Sequence, residues 1–346
     1  MAEGENRKAI IDFITTHPNI SSREIEAGLQ SMAIATIKRV LKKLASDEFI
    51  IIKGKGKATR YEISPTYELL RPINMEDYFA KEIDDRTIKT GFTYTLIPDI
   101  LSKSRIFTAE ESQKLQKLQS IYIEKSQQLT PYEYKKELER LAIDLSWKSS
   151  QIEGNTYSLL ETERLLKDKE TAAGKPKDDA TMLLNHKEAI DFIIGNPSFT
   201  APLTVAAIED IHSILMKELG VDRNIRKNRV AISGTNYKPL DNQFQIKEAL
   251  QSMCGLVNNK SDVFTKALLA LILISYIQAF ADGNKRTARI IGNAILLSHH
   301  HCPISFRTID SVEYKKAMLI FYEQNNITPF KEIFISQFDF AVNTYF

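Results

Sequence analysis

The chain has 346 residues, of which 43% are hydrophobic and 26% charged, and its formal net charge is +2. This is enough for two or three globular domains with a sizeable core, and it argues against a disordered chain. Cys254 and Cys302 imply no disulfide framework and suit a reducing compartment, so we expect a cytoplasmic protein. The N-terminus has no apolar signal segment, and the longest apolar stretch, 267–277, is far shorter than the ~20 residues of a membrane span. We therefore expect no membrane partner.

Residues 1–64 have the pattern of three helices followed by two short strands. Apolar residues recur at helical spacing in the first segment, and Ser21 or Ser22 can cap the second helix. Two β-rich runs flank a Gly-Lys-Gly-Lys turn at 54–57. The predicted helices are 7–16, 22–29 and 33–46, and the predicted strands are 49–53 and 59–63.

This first domain is basic. Residues 34–60 carry eight Lys or Arg residues against Asp47 and Glu48, an excess that favours an anionic partner. The arrangement resembles a winged helix-turn-helix domain, in which the third helix enters a DNA major groove and the wing lies along the backbone. Basic surface helices also occur without a nucleic-acid partner, and many winged helices mediate protein contacts or homo-oligomers. The resemblance implies DNA binding by Lys38, Arg39, Lys42, Lys43, Lys55 and Lys57.

Residues 65–103 contain three prolines and several aromatic residues, and are too apolar for a disordered tether. We expect an ordered connector that packs on the domain after it. From residue 104 to 346 the periodicity is helical almost throughout, so the expected fold class is mainly α. The predicted helices are 108–127, 131–153, 158–169, 178–194, 204–218, 243–258, 261–279, 285–299, 310–324 and 327–343.

The predicted helix that ends at Gly154 has clear signals at both termini. Thr130 can cap it, Pro131 occupies the first position and Glu133 completes a capping box. Glu153 then lies in the last turn, where a carboxylate opposes the helix dipole by ~0.3–1 kcal/mol. This placement favours a cationic partner for Glu153, although a solvated glutamate near a helix end is the simpler alternative.

Between two predicted core helices, residues 229–237 have β-branched residues around a turn and predict a short hairpin. Such a hairpin can be purely structural, or it can hold a peptide by strand addition.

The run from Gln278 to Arg289 places a polar turn between two apolar helical segments. Gly283 lets backbone N–H groups turn inward, Asn284 can cap the next helix, and the N-terminus of that helix attracts anions. Arg286 and Arg289 are three residues apart and project from one helix face. The run therefore predicts a phosphate site, whereas Asp-Gly-Asn alone would suggest an ordinary turn.

This run resembles the signature of the Fic family, His-Pro-Phe-x-Asp-Gly-Asn-Gly/Lys-Arg-x-x-Arg, at every position but two. The exceptions are Gln278 in place of the His and Ala279 in place of the Pro. The predicted hairpin lies where that family has a hairpin called the flap, and the resemblance covers about 129–338. The family's inhibitory pattern Ser/Thr-x-x-x-Glu-Gly/Asn is matched by Ser149, Glu153 and Gly154.

The resemblance implies ATP and Mg²⁺ as cofactors, and transfer of AMP to the hydroxyl of a protein target, which can be the chain itself. Asp282 would hold the magnesium ion, and Arg289 would hold the γ-phosphate unless Glu153 occupies it. Tyr314 and Tyr322 are candidates to stack on adenine, although tyrosines at such spacing more often belong to a core. The remaining phosphate-binding residues would be Gly283, Asn284, Lys285 and Arg286, and the flap residues that hold the target would be Val230, Ala231, Ile232, Ser233 and Gly234.

Lys285 stands where the family more commonly has Gly. Lysine occurs there in part of the family, including toxin-like members that use ATP as a phosphate donor. Which phosphate is transferred therefore stays open. The histidines have no metal-ligand spacing, and we expect His186 and His212 to be packed or solvated.

Gln278 changes the chemistry that the resemblance implies. In the family the His takes the proton of the target hydroxyl, a role worth ~10²–10⁴ in rate, and a primary amide cannot do this near pH 7. We therefore expect a Fic-type adenylyltransferase that is autoinhibited by Glu153 and inactive or weakly active because of Gln278. Two alternatives remain: an active transferase with another base, and a DNA-binding regulator whose Fic domain senses a nucleotide without catalysis.

Overall fold

The computed structural model describes residues 2–346, with side chains from residue 4 onward. These residues form two compact units. The first comprises the chain up to Pro72 together with Lys103–Thr108, and the second comprises Ile73–Ser102 and Ala109–Phe346. The segment expected to be a connector is thus ordered but divided between the two units. Its first part belongs to the first unit, where Leu69 is buried and the Thr66 and Ser104 hydroxyls are 2.9 Å apart.

The first unit has the predicted order of three helices and two strands. Strands β1 and β2 are antiparallel, with Ile50 opposite Ile63 and Lys53 opposite Arg60. Its core is aliphatic and includes Ile14, Ile37 and Leu44, which confirms the helical spacing predicted for this region. The elements are α1 Ala2–Thr16, α2 Ser22–Gly28, α3 Ile34–Ser46, β1 Ile50–Lys53, β2 Arg60–Ile63 and α4 Pro65–Leu70.

The second unit is helical, and all ten helices predicted from the periodicity are present. The largest shift is at α10, which ends at Leu215 rather than at 218. Its helices are α5 Met75–Phe79, α6 Ala109–Gln128, α7 Pro131–Ile152, α8 Leu159–Asp168, α9 Lys177–Gly195, α10 Val205–Leu215, α11 Gln243–Asn259, α12 Val263–Ile277, α13 Asn284–Ser298, α14 Ser311–Gln324 and α15 Thr328–Thr344.

Helix α12 explains why the second unit is built around one pair of helices. Its residues from Phe264 to Ile277 are buried except for Lys266, so neighbouring helices cover it on all sides. Helix α13 packs antiparallel to it after a tight turn and is buried over most of its length. Within residues 2–346, no helix combines the length and the apolar character needed to cross a bilayer.

The hairpin predicted at 229–237 is wrong. These residues contain a turn at Ser233–Gly234 but no strand. The arm after the turn does not pair with the arm before it, because Tyr237 is buried with its ring stacked on Tyr276 at 5.1 Å. The backbone N–H of Lys238 instead donates to Thr90 O at 3.0 Å.

Candidate functional site

The turn between α12 and α13 is shaped by two residues in the left-handed region. Gln278 follows α12 with φ 52° and ψ 55°, and Gly283 precedes α13 with φ 80°. Gly283 also allows close packing, since a Cβ there would lie 2.6 Å from Met216 Cε. The turn therefore favours glycine for its conformation, and any side chain there would also force the end of the Met216 side chain to shift.

The prediction that Asn284 caps α13 is wrong, because Gly283 is the N-cap residue and Asn284 is the first residue of the helix. The Asn284 side chain closes the turn instead. Its Oδ1 accepts a hydrogen bond from the Phe280 N–H at 2.9 Å, and its Nδ2 donates to Phe280 O at 2.8 Å. The backbone donors at the start of α13 thus stay available for an anion.

Gln278 is fixed by hydrogen bonds at both ends of its amide. Nε2 donates to Ser275 O at 2.7 Å and lies 3.5 Å from the Tyr322 hydroxyl, while Oε1 accepts from Asn284 Nδ2 at 3.1 Å. The residue is 8% exposed. It is therefore a positioned neutral amide with no proton-accepting nitrogen.

A cleft of about 400 Å³ opens over this turn. Its floor includes Gln278 and the start of α13, and residues 230–233 form one wall. Glu153 at the end of α7 and Lys315 and Leu319 of α14 also line it. The cleft thus brings together the predicted phosphate-binding residues 283–286, the inhibitory glutamate and most of the segment expected to hold a target, whereas Arg289 and Gly234 do not line it.

Arg286 lines the cleft and makes it suited to bind an anion. Its side chain is 2% exposed, and Nη2 pairs with Asp282 Oδ2 at 2.8 Å. Among the described residues, Nε and Nη1 are buried without a hydrogen-bond partner. Unpaired buried donors on a charged group are costly, so a phosphate oxygen that reached them would relieve that cost.

Asp282 is the one carboxylate at the head of the turn. Its side chain is 63% exposed, and Oδ1 accepts the Gly283 N–H at 2.6 Å. Within residues 2–346, no three His, Cys, Asp or Glu side chains are grouped so that they could hold a metal. This donor set fits Mg²⁺, which is commonly held by one or two carboxylates together with phosphate oxygens and water.

Glu153 forms an ion pair with Arg289, the cationic partner that the family resemblance implies for it. It caps the C-terminus of α7, and its Oε1 lies 2.7 Å from Arg289 Nη2, while Oε2 lies 3.3 Å from Lys285 Nζ. Burial alone would raise the pKa of Glu153, but the charges of Arg289 and Lys285 outweigh it and lower the pKa to about 2. The carboxylate is therefore ionised at neutral pH and blocks the Arg289 guanidinium.

His186 takes part in holding Arg289, a role that the sequence did not indicate. Arg289 Nε donates to Ser149 Oγ at 2.7 Å, and Ser149 Oγ lies 2.6 Å from His186 Nε2. Because the guanidinium can only donate, the Ser149 hydroxyl accepts from Arg289 and makes its other hydrogen bond with His186 Nε2. Burial, together with the charges of Arg289 and Arg286, lowers the pKa of His186, so its ring is neutral.

Of the two tyrosines expected as adenine candidates, Tyr314 lies in the core, whereas Tyr322 is buried but lines the cleft. Tyr314 is fully buried beneath Arg289, whose guanidinium carbon is 5.2 Å from the centre of its ring. Tyr322 is 1% exposed and stacks on Tyr237 at 5.7 Å. His212 is packed as well, since it stacks on Phe280 at 3.7 Å.

The six basic residues assigned to DNA in the first unit are all exposed, but only three of them line a common groove. Lys38, Lys42 and Lys57 line a groove of about 480 Å³ between α3 and the β1–β2 turn. Arg23 of α2 lines the same groove and was not predicted, because α2 is not basic overall. The other three predicted residues, Arg39, Lys43 and Lys55, do not line this groove.

Part of the helical unit is similar to known proteins. The Fic/DOC family model matches residues 202–296. "Protein adenylyltransferase Fic" of Nematostella vectensis is 27% identical over 176 residues, which are 49% of this chain and 40% of that protein. This chain therefore matches less than half of that relative's length.

Solved structures show the same fold at lower identity. Fic-1 (residues 134–508) from C. elegans is 18% identical with a TM-score of 0.59, covering 68% of this chain and 72% of that one. A Fic-domain-containing signalling protein from Bacteroides thetaiotaomicron is 20% identical with a TM-score of 0.58, covering 67% and 95%. These similarities show a Fic fold over about two thirds of the chain.

Proposed function

We propose that this chain, which has a Fic fold and matches the Fic/DOC family over 202–296, is a Fic-type protein adenylyltransferase held in a repressed state. It would transfer AMP from Mg-ATP to a hydroxyl of a protein, which can be the chain itself. The observation that carries the proposal is the pair of arginines on α13. Arg286 lines the cleft and has two buried donors without a partner among the described residues, while Arg289 on the same helix is occupied by Glu153.

The residues of the turn suit the polyphosphate of ATP. Arg286 and the N-terminal N–H groups of α13 would bind phosphate oxygens, and Asp282 would hold Mg²⁺. Lys285 is 3.3 Å from Glu153 and would turn to a phosphate when that carboxylate leaves. Bound Mg-ATP supplies the electrophilic phosphorus and the leaving pyrophosphate; the chain's own residues bind and orient it.

Two features of the chain would keep transfer slow. Glu153 pairs with Arg289, so the guanidinium would not be available to bind the γ-phosphate. ATP would then bind with fewer contacts and in an orientation that does not suit transfer. Gln278 stands where a base would take the hydroxyl proton, and its amide is already engaged by Ser275 O and Asn284. The first feature affects nucleotide placement and the second affects proton transfer.

Titration calorimetry with Mg-ATP tests the binding half of the proposal. We expect the wild-type chain to bind weakly and Glu153→Gly to bind at least about tenfold more tightly, because Arg289 becomes available. Glu170→Gly is the matched control, since Glu170 lies in a loop and pairs only with the exposed Arg164. No heat from Glu153→Gly at millimolar Mg-ATP would refute nucleotide binding at this cleft.

A second function is favoured by the basic groove of the first unit. Arg23, Lys38, Lys42 and Lys57 line it together, which supports a winged helix-turn-helix domain that binds nucleic-acid phosphates. On this proposal the chain is a DNA-binding regulator whose Fic domain senses a nucleotide. Fluorescence anisotropy with a labelled duplex, with and without Mg-ATP, tests it: binding that Mg-ATP changes supports sensing, and no binding at low salt refutes it.

A further inference from the structure

We propose that residues 78–93, which we call the brace, hold the loop at 229–237, which we call the cleft loop, and that Arg86 is the positioning residue between them. The proposal rests on the proposed function in one respect: the cleft loop is the wall along which a protein hydroxyl would approach. The structural claim itself does not require a bound nucleotide.

The brace is anchored to the end of α14 by a buried carboxylate. Glu323 is 0% exposed, and its Oε2 accepts the Tyr78 hydroxyl at 2.5 Å. Its Oε1 has no hydrogen-bond partner among the described residues and lies 3.6 Å from Arg86 Nη1. A buried carboxylate needs a compensating charge, and Arg86 supplies it. The N–H of Lys89 also donates to Glu323 O at 2.8 Å.

The same brace contacts the cleft loop at two points and the residue that follows the loop at a third. Arg86 Nη1 donates to Gly234 O at 3.2 Å, which is the turn of the loop. Asn236 Nδ2 donates to Asp84 Oδ1 at 2.8 Å, and just beyond the loop the N–H of Lys238 donates to Thr90 O at 3.0 Å. One nitrogen of Arg86 therefore faces both the buried carboxylate and the turn of the loop.

These contacts matter because the cleft loop has no strand pairing between its two arms. A loop without its own ladder takes its position from what holds it from outside. Residues 230–233 line the cleft and directly precede the braced turn at Gly234. The brace thus sets how far this wall stands from Gln278 and Asp282, and with it the access of a target hydroxyl.

Hydrogen exchange measured by mass spectrometry on the full chain, without nucleotide, tests the brace. We expect Arg86→Ala to speed exchange in peptides covering 229–237 about tenfold, with α12 unchanged. Arg229→Ala is the matched control, because Arg229 lies in the same loop but is 87% exposed and pairs only with Asp241. Equal exchange in the Arg86 and Arg229 variants would overturn the proposal.

Asp84→Ala is a second variant that tests the brace even if Arg86→Ala does not fold. Asp84 is exposed, and its side chain accepts from Asn236 without contacting Glu323, so we expect the fold to survive and exchange in 229–237 to rise about threefold. Unchanged exchange in Asp84→Ala together with a globally unfolded Arg86→Ala would refute the brace, because Arg86 would then serve only to neutralise Glu323.

Two further readouts separate the brace from the proposed function. In a Glu153→Gly background, Arg86→Ala should leave Mg-ATP affinity within about twofold, since the brace does not touch the phosphate-binding residues. Label transfer from α-labelled ATP should fall at least about fivefold when Arg86→Ala is added to Glu153→Gly, Gln278→His. If exchange changes as expected but no variant ever transfers AMP, the brace stands and the proposed function fails.

Discussion

The ion pair between Glu153 and Arg289 makes a quantitative prediction about stability and pH. The pKa of Glu153 falls from 4.5 to about 2, and one pKa unit corresponds to ~1.4 kcal/mol, so the ionised carboxylate contributes about 3 kcal/mol. The side chain is only 17% exposed, so little of this is lost to solvent screening. We expect Glu153→Gln, which keeps the shape and removes the charge, to lower the free energy of unfolding by about 3 kcal/mol at pH 7.

The sign of the pH dependence follows from the lowered pKa. The contribution is fully present above pH 4.5, where even the unfolded chain has this carboxylate ionised, and it is lost as the pH falls toward 2. The stability difference between wild type and Glu153→Gln should therefore be constant from pH 7 to about 5 and shrink below that.

Urea unfolding followed by tryptophan fluorescence measures this difference in stability for the second structural unit, to which Glu153 belongs. Trp147 is the single tryptophan and lies in α7, six residues before Glu153. Glu170→Gln is the control, since its exposed pair with Arg164 should contribute ~0–1 kcal/mol. Equal stability of Glu153→Gln and wild type at pH 7, or a difference that persists unchanged to pH 3, would refute the assignment of Glu153 as a buried, ionised partner of Arg289.

Three further predictions concern the two candidate sites. In a Glu153→Gly background, Arg286→Ala should weaken Mg-ATP binding by roughly 1.5–3 kcal/mol in calorimetry, the range for a hydrogen bond to a charged group; unchanged affinity would remove Arg286 from the phosphate site. His186→Leu should raise Mg-ATP affinity about 2- to 10-fold in the wild-type chain but not in Glu153→Gly, because it acts only by holding Ser149 against Arg289; an equal effect in both backgrounds would indicate a general packing role. Lys42→Ala should flatten the log-log salt dependence of duplex binding by about 1, whereas Lys114→Ala, in an exposed pair with Asp339, should leave the slope unchanged; equal slopes would exclude Lys42 from phosphate contact.

The helices were predictable because their signals are local. The capping box of Thr130 and Glu133 and the apolar spacing of α12 each lie within one short window of sequence, and the structure has both. The contact between Glu153 and Arg289 was predictable only through a family pattern, since 136 residues separate the two along the chain.

The features that the sequence did not indicate depend on contacts between distant segments. The cleft loop has the composition of a hairpin, but its two arms do not pair. Tyr237 in the second arm is buried, and the N–H of Lys238 after it donates to Thr90 O instead of to the first arm. Asn284 looked like a cap because its residue type favours that position, yet Gly283 already fills it. No spacing rule links His186 to Ser149, because the contact between them exists only where α7 and α9 pack together.

The most direct test of a repressed adenylyltransferase is label transfer from α-labelled ATP by four proteins at equal concentration: wild type, Glu153→Gly, Gln278→His and the double variant. Because one feature impairs nucleotide placement and the other proton transfer, the double variant should exceed the product of the two single effects. Labelling should appear with α-labelled ATP and not with γ-labelled ATP. A Glu153→Gly single variant that is as active as the double variant would contradict the account, because Gln278 would then be no obstacle to transfer.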